Sequence, residues 1–196
     1  MATVIDLFGT SLPHLPQSRT MFRSLFGRKP AQAPGSFVFL QLQTDGFPEV
    51  WMLNHKVDDG IERSAFPWHL TIDIGMEAAH EIGLPTEEEQ RTLTTLRETL
   101  DRTLLADNNA LWLGSITWNR TRQLVYRVRQ PNLANEFLAT LVASRAAVRP
   151  LEYRMVEDAS WGHAEYYLEP LRSALSSSVP RSRLMRVDGK AIVIDD

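Results

Sequence analysis

His69, Thr71 and Asp73 stand at alternate positions of the run His69-Leu70-Thr71-Ile72-Asp73-Ile74. An extended chain therefore puts the three polar side chains on one side and Leu70, Ile72 and Ile74 on the other. The same parity assigns Gln123 and Arg127, and then Glu152 and Arg154, to the polar side of neighbouring strands. An imidazole and a carboxylate on one surface are the material of acid–base catalysis, and a mixed-charge sheet face can also hold a ligand. Distance opposes the catalytic reading. At ~3.3 Å per residue, His69 and Asp73 lie about 13 Å apart, too far for direct coupling. Half-solvated antiparallel sheets ordinarily carry such charges in cross-strand pairs, and that is the stronger explanation.

Other chemistry has less to stand on. Neither G-x-x-x-x-G-K-[ST] nor G-x-G-x-x-G occurs, so no backbone cradle for a phosphate is expected. The hydrolase elbow G-x-S-x-G is missing, and Gly114-Ser115 falls inside a strand, the wrong setting for an exposed nucleophile. No two histidines share a metal-ligand spacing, and Asp58-Asp59 reads as a solvated turn rather than a cation site. His163 and Glu165 are two apart on a helix, point to different sides, and read as surface residues. The chain has no cysteine, which removes thiolate chemistry and disulfides and fits a reducing compartment. No catalytic residue, cofactor or metal is expected.

Partners are bounded the same way. A net charge of −3 gives no global pull toward nucleic acid. A sheet that stacked RNA bases would need aromatics where Thr71, Asp73, Val125 and Arg127 stand. The first residues lack the basic start and apolar run of a secretory signal, and no run approaches the roughly 20 apolar residues of a membrane helix. The expected location is the cytoplasm. Trp51, Trp68, Trp112, Trp118 and Trp161 suit core and hairpin anchors. Trp118 lies beside a turn and, if exposed, would anchor an interface.

The elements that must position the polar face follow from periodicity. Residues 69–75 form a strand. Pro85-Thr86-Glu87-Glu88-Glu89 opens a helix, with capping-box spacing from Thr86 to Glu89 and a stripe of Leu93, Leu96, Leu100 and Leu104. Residues 111–128 alternate with period two on both sides of Asn119-Arg120-Thr121-Arg122, which predicts a hairpin. A second helix runs from Asn132 to about Arg145, with Leu133, Phe137, Leu138 and Leu141 inward, and a strand covers 151–156. Strand, helix, strand, strand, helix, strand over 69–156 predicts an α+β protein. The expected fold is a ferredoxin-like βαββαβ sandwich, an antiparallel sheet with two helices on one face. Right-handed crossovers then put 69–75 between 123–128 and 151–156.

The flanks complete the organisation. Residues 1–35 are a basic tether, with Met21, Phe22, Leu25 and Phe26 on one side of a short helix. A single α+β domain spans 36–173. It begins with a hairpin over 36–54, turned at Asp45-Gly46, and ends in a third helix over 158–169, capped by Asp158 and stopped near Pro170. Residues 174–196 are a tail with a hairpin around Asp188-Gly189, too apolar to stand free in water and expected to dock on its own chain.

The segments DGFPEVWMLN, FPWHLTIDIG, GLPTEEEQRTLTTLRETL, LGSITWNRTRQLVYRV and DASWGHAEYYL resemble the bacterial domain-of-unknown-function family 695, over roughly Ser36 to Pro170. That family carries no established activity, so the resemblance transfers no catalytic residue. Its association with RraB-like regulators of ribonuclease E implies, by analogy, a protein-binding role. The expected function is a non-catalytic protein-binding or regulatory module of inhibitor, immunity or adaptor type. It would act on a partner protein as a monomer or weak homodimer. The alternative is a small hydrolase or ligand-binding enzyme using the face around His69, Asp73 and Arg127. The candidate surface is His69, Thr71, Asp73, Arg127, Glu152, Arg154 and Trp118.

Overall fold

A computed structural model describes residues 37–58 and 60–176, and the strands at 183–187 and 190–194, with backbone alone for these two strands and Asp58. The tether over 1–35 with its short amphipathic segment, Asp59, most of the serine linker and the Asp188-Gly189 turn lie outside the described residues. The chain runs β1 (Phe37–Thr44), β2 (Phe47–Asn54), β3 (Trp68–Gly75), α1 (Glu87–Leu104), β4 (Ala110–Trp118), β5 (Thr121–Val128), α2 (Pro131–Ser144), β6 (Leu151–Glu157), α3 (Gly162–Ser176), β7 (Arg183–Val187) and β8 (Lys190–Ile194). Both tight turns use the left-handed region, at Asp45 and Gly46 (φ 52° and 79°) and at Asn119 and Arg120 (φ 40° and 64°). That geometry matches the right-handed twist of the strands it joins.

Six strands form one antiparallel sheet in the order β1-β2-β4-β5-β3-β6. β3 lies between β5 and β6, as right-handed crossovers require. The β1–β2 hairpin is added beyond β4, so the whole sheet is not a simple four-stranded arrangement. Leu70, Ile72 and Ile74 are buried with no exposure, against the α1 stripe of Leu93, Leu96, Leu100 and Leu104 and against Ala134 and Leu138 of α2. The predicted register of β3 holds. Thr86 caps α1 by accepting the Glu89 N–H at 3.3 Å, but Glu89 does not return the bond. Its carboxylate is turned to Arg149 and the Glu77 N–H, and the Thr86 N–H donates to the Ala78 carbonyl instead.

Three expectations need correction. α3 packs on the opposite face of the sheet, so the domain has three layers rather than a sheet with one wet face. The reason is that β1, β2 and β4 are apolar on both parities. Leu40, Leu42, Trp51, Leu53 and Leu113 need cover that α1 and α2 cannot give. α3 also continues through Pro170 to Ser176. Pro170 and Leu171 are both buried, and this packing outweighs one missing N–H on the helix ladder. Leu133 is 55% exposed, because α2 turns Ala134 and Leu138 inward, with Phe137 and Leu141 half-buried beside them.

β7 and β8 pair as a separate two-stranded sheet, and β7 runs alongside β1. The tail thus lies beside the N-terminal hairpin. A chain ending at Leu175 is expected to lose about 1 kcal/mol or more, roughly 2–4 °C in melting temperature for a chain of this size, read by thermal circular dichroism.

Candidate functional site on the second face of the sheet

α3 divides the polar parity of the sheet into a covered part and an open part. His69 and Arg127 are cross-strand neighbours and both fall under the helix. The Arg127 guanidinium is wholly buried. It donates to Asp158 Oδ2 at 2.7 Å and to the Asp158 carbonyl at 2.6 Å. It also donates to the Phe66 carbonyl through Nε and Nη2 at 3.1 and 2.8 Å, and it sits 4.6 Å from the centre of the Trp161 ring. Asp158 does double duty. Its two oxygens accept the N–H groups of Gly162 and His163 at 2.8 and 3.0 Å, closing the start of α3. Burial alone would raise its carboxyl, but the His163 N–H and Arg127 outweigh burial and hold it below the usual carboxylate range. This group joins β5 to α3 and is a structural clamp.

His69 is 5% exposed, with its ring stacked against His163 at 5.4 Å and Tyr167 at 5.9 Å. Nδ1 is buried without a hydrogen-bond partner among the described residues. Burial first, then the positive charge of Arg127 and the nearby His163, lowers its pKa from 6.5 to about 4. The folded protein therefore resists a proton that the unfolded chain accepts at 6.5, so stability is present above that pH and is lost as pH falls toward 4. Between pH 7 and pH 5 the loss from this group is about 2 kcal/mol. Urea titrations at both pH values are expected to register it, and His69→Phe, which keeps a stacked ring, is expected to flatten that stretch of the profile. A wild-type profile already flat over this range would refute the account.

From His69 the polar chain continues outward. The Tyr167 hydroxyl donates to Gln123 Oε1 at 3.1 Å, and Gln123 Nε2 donates to Asp73 Oδ1 at 2.9 Å. Asp73 and Thr71 are half-buried, facing Glu152 and Arg154 across the β3–β6 pair, and these last two are exposed. The open part of the face is this strip of Thr71, Asp73, Glu152 and Arg154. Trp118 is not part of it. It lies at the far end of β4, half-buried, with its indole N–H donating to the Thr44 carbonyl at 3.1 Å. That bond ties the ends of β1 and β4 together.

Residues 37–171 match the model of a family of unknown function, DUF695. The chain belongs to this family. No curated protein and no solved structure matches the chain. The DUF695 match runs from the first residue of β1 to Leu171 in α3, so the clamp, the stacked rings and the open strip all fall inside it.

Two clefts of this DUF695 domain were not anticipated from sequence. One, of about 620 Å³, lies where β3 ends and β6 begins, lined among others by Asp73, Gly75, Arg145, Arg149 and Glu152. Arg149 there holds Glu89 through two 2.8 Å hydrogen bonds and Glu77 at 3.1 Å. Glu89 is 1% exposed and its carboxyl is held below the usual range, first by the Arg149 hydrogen bond. The only sequence signal was the capping-box spacing, which pointed Glu89 to the wrong partner. The second cleft, of about 650 Å³, separates α1 from α2 and is lined by Leu96, Leu100, Phe137, Leu141 and Val148 with a row of α1 threonines. The hydroxyls of Thr92, Thr95 and Thr99 donate to carbonyls one turn back, which leaves an apolar floor. Among the described residues no group of three His, Asp or Glu could hold a metal ion, and no helix is long and apolar enough to cross a membrane.

Proposed function

We propose that the protein is a non-catalytic module that binds a partner protein along β6 and the strip of Thr71, Asp73, Glu152 and Arg154 beside it. The observation that carries this reading is that β6 ends the six-stranded sheet and, among the described residues, pairs with β3 alone. A strand edge of this kind recognises an extended segment through main-chain hydrogen bonds, with alternate side chains reading its sequence. The four strands β4-β5-β3-β6 with α1 and α2 suit a ferredoxin-like unit, to which the β1–β2 hairpin is added as an extension. An inhibitor or adaptor, in the manner of the RraB-like regulators, is the form of module we favour. A cytoplasmic partner suits a chain without cysteine. The alternative, an enzyme working at His69, Asp73 and Arg127, has less support, because His69 is stacked under α3 and Arg127 is spent on Asp158 and Phe66.

Affinity capture from the native lysate tests the reading. Arg154→Glu, on an exposed side chain, is expected to lose a partner that the wild type retains, with the far-UV circular dichroism spectrum unchanged. Retention of the same partner by Arg154→Glu would overturn β6 as the recognition edge.

A further inference from the structure

The two edges of the sheet are treated differently. β7 runs alongside β1, whereas β6 has no neighbour on its outer side among the described residues. β6 also lacks the proline, glycine or bulge that usually blunts an exposed edge. Its hydrogen-bond parity can be read from its ends. Gly75 N–H donates to the Pro150 carbonyl at 3.0 Å, and Asp158 N–H donates to the Pro67 carbonyl at 2.7 Å. In an antiparallel ladder the bonded pairs recur every second residue, so 150, 152, 154, 156 and 158 turn their N–H and C=O groups toward β3. Leu151, Tyr153, Met155 and Glu157 therefore present theirs outward.

We infer that this edge pairs with the β6 of a second copy of the chain, antiparallel about a two-fold axis at Tyr153, joining two six-stranded sheets into one. The inference rests on β6 being the recognition edge and names its occupant. The outward parity restricts a symmetric pairing to a few registers. An axis at Arg154 sets like charges opposite each other, and an axis at Met155 sets Arg154 opposite Val156. An axis at Tyr153 makes Tyr153 a hydrogen-bonded pair with its own copy and puts Leu151 opposite Met155. It also sets Glu152 directly opposite Arg154, twice. Non-bonded antiparallel pairs bring side chains closest, and opposite charges there are favourable. Both side chains are exposed and neither takes part in an ion pair within the chain among the described residues. On the helix side of the sheet, the Tyr153 hydroxyl donates to Asn135 of α2 at 2.7 Å. Val142 of α2 is 40% exposed and lines the same cleft as Leu151 and Glu152, so it would be shielded by the second copy.

Sedimentation equilibrium of the full chain over a range of concentrations tests the pairing and its register. The wild type is expected to dimerise. Arg154→Glu and Glu152→Arg, each setting like charges opposite each other at both symmetric positions, are expected to weaken the dimer about tenfold or more. The double swap Glu152→Arg with Arg154→Glu restores opposite charges across the axis and is expected to return the dissociation constant to near wild type. A wild type that stays monomeric at every concentration overturns the inference, as does a dimer indifferent to the single substitutions or not restored by the double swap. A partner of different sequence would not be recovered by the double swap. Loss of the lysate partner by a monomeric protein therefore counts against self-pairing while leaving β6 as the recognition edge.

Discussion

Asp158→Ala is expected to destabilise the protein by about 3–5 kcal/mol, because it leaves the Arg127 guanidinium charged, buried and unpaired. The same substitution removes both side-chain acceptors that close the start of α3, at Gly162 and His163. Urea unfolding at neutral pH measures the loss. Asp158→Asn separates the contributions, since an amide oxygen can still accept a backbone N–H but brings no charge to Arg127. It is expected to lose less than the alanine variant, the difference reporting the cap. Arg127→Met combined with Asp158→Ala should be less destabilised than the sum of the two single variants, because the two groups act as one unit. A strictly additive cycle would mean that the clamp is two independent contacts.

Gly114→Ala is the second large effect, expected at about 3 kcal/mol by the same measurement. Gly114 follows the bulge at which β4 shifts register against β5, and it pairs with Leu53 of β2. A methyl group there would lie 2.5 Å from the Met52 carbonyl oxygen and 3.1 Å from the Leu53 Cα. Both are backbone atoms of the neighbouring strand, so relief requires β2 to move away from β4. Gly46→Ala is the contrasting case. Its φ of 79° is strained for alanine, but a Cβ there meets nothing within 4 Å, so about 1 kcal/mol is expected. Equal losses at the two positions would show that the close approach of β2 and β4 carries no special weight.

The two predictions differ in how visible they were before the fold was known. Asp158 was legible as a helix cap, because a cap is local and its acceptor lies next to the N–H groups it serves. Its role as the counter-charge of Arg127, thirty-one residues earlier, was not. Gly114 was legible as a strand residue but not as a contact point, since only the pairing with β2 brings Met52 and Leu53 against it.

What the sequence by itself determined is what neighbours along the chain decide. The alternation of Leu70, Ile72 and Ile74, the leucine stripe of α1 and the Asp45-Gly46 turn all describe elements whose period or φ is set within a few residues. The order of strands around β3 followed too, because crossover handedness is a local steric preference. The fate of the second sheet face was decided only by tertiary structure. Parity assigns His69, Arg127, Glu152 and Arg154 to one surface, but it does not say which part of that surface another element will cover. α3 was drawn over His69 and Arg127 by Trp51, Leu53, Leu113 and Val125, apolar residues of β2, β4 and β5 whose burial is shared across the sheet. Glu152 and Arg154 stayed in water because β6 is the edge beyond the reach of that helix. Burial depends on the sum of distant apolar area and charge on the pairing of distant groups, and neither is a property of a single strand's sequence.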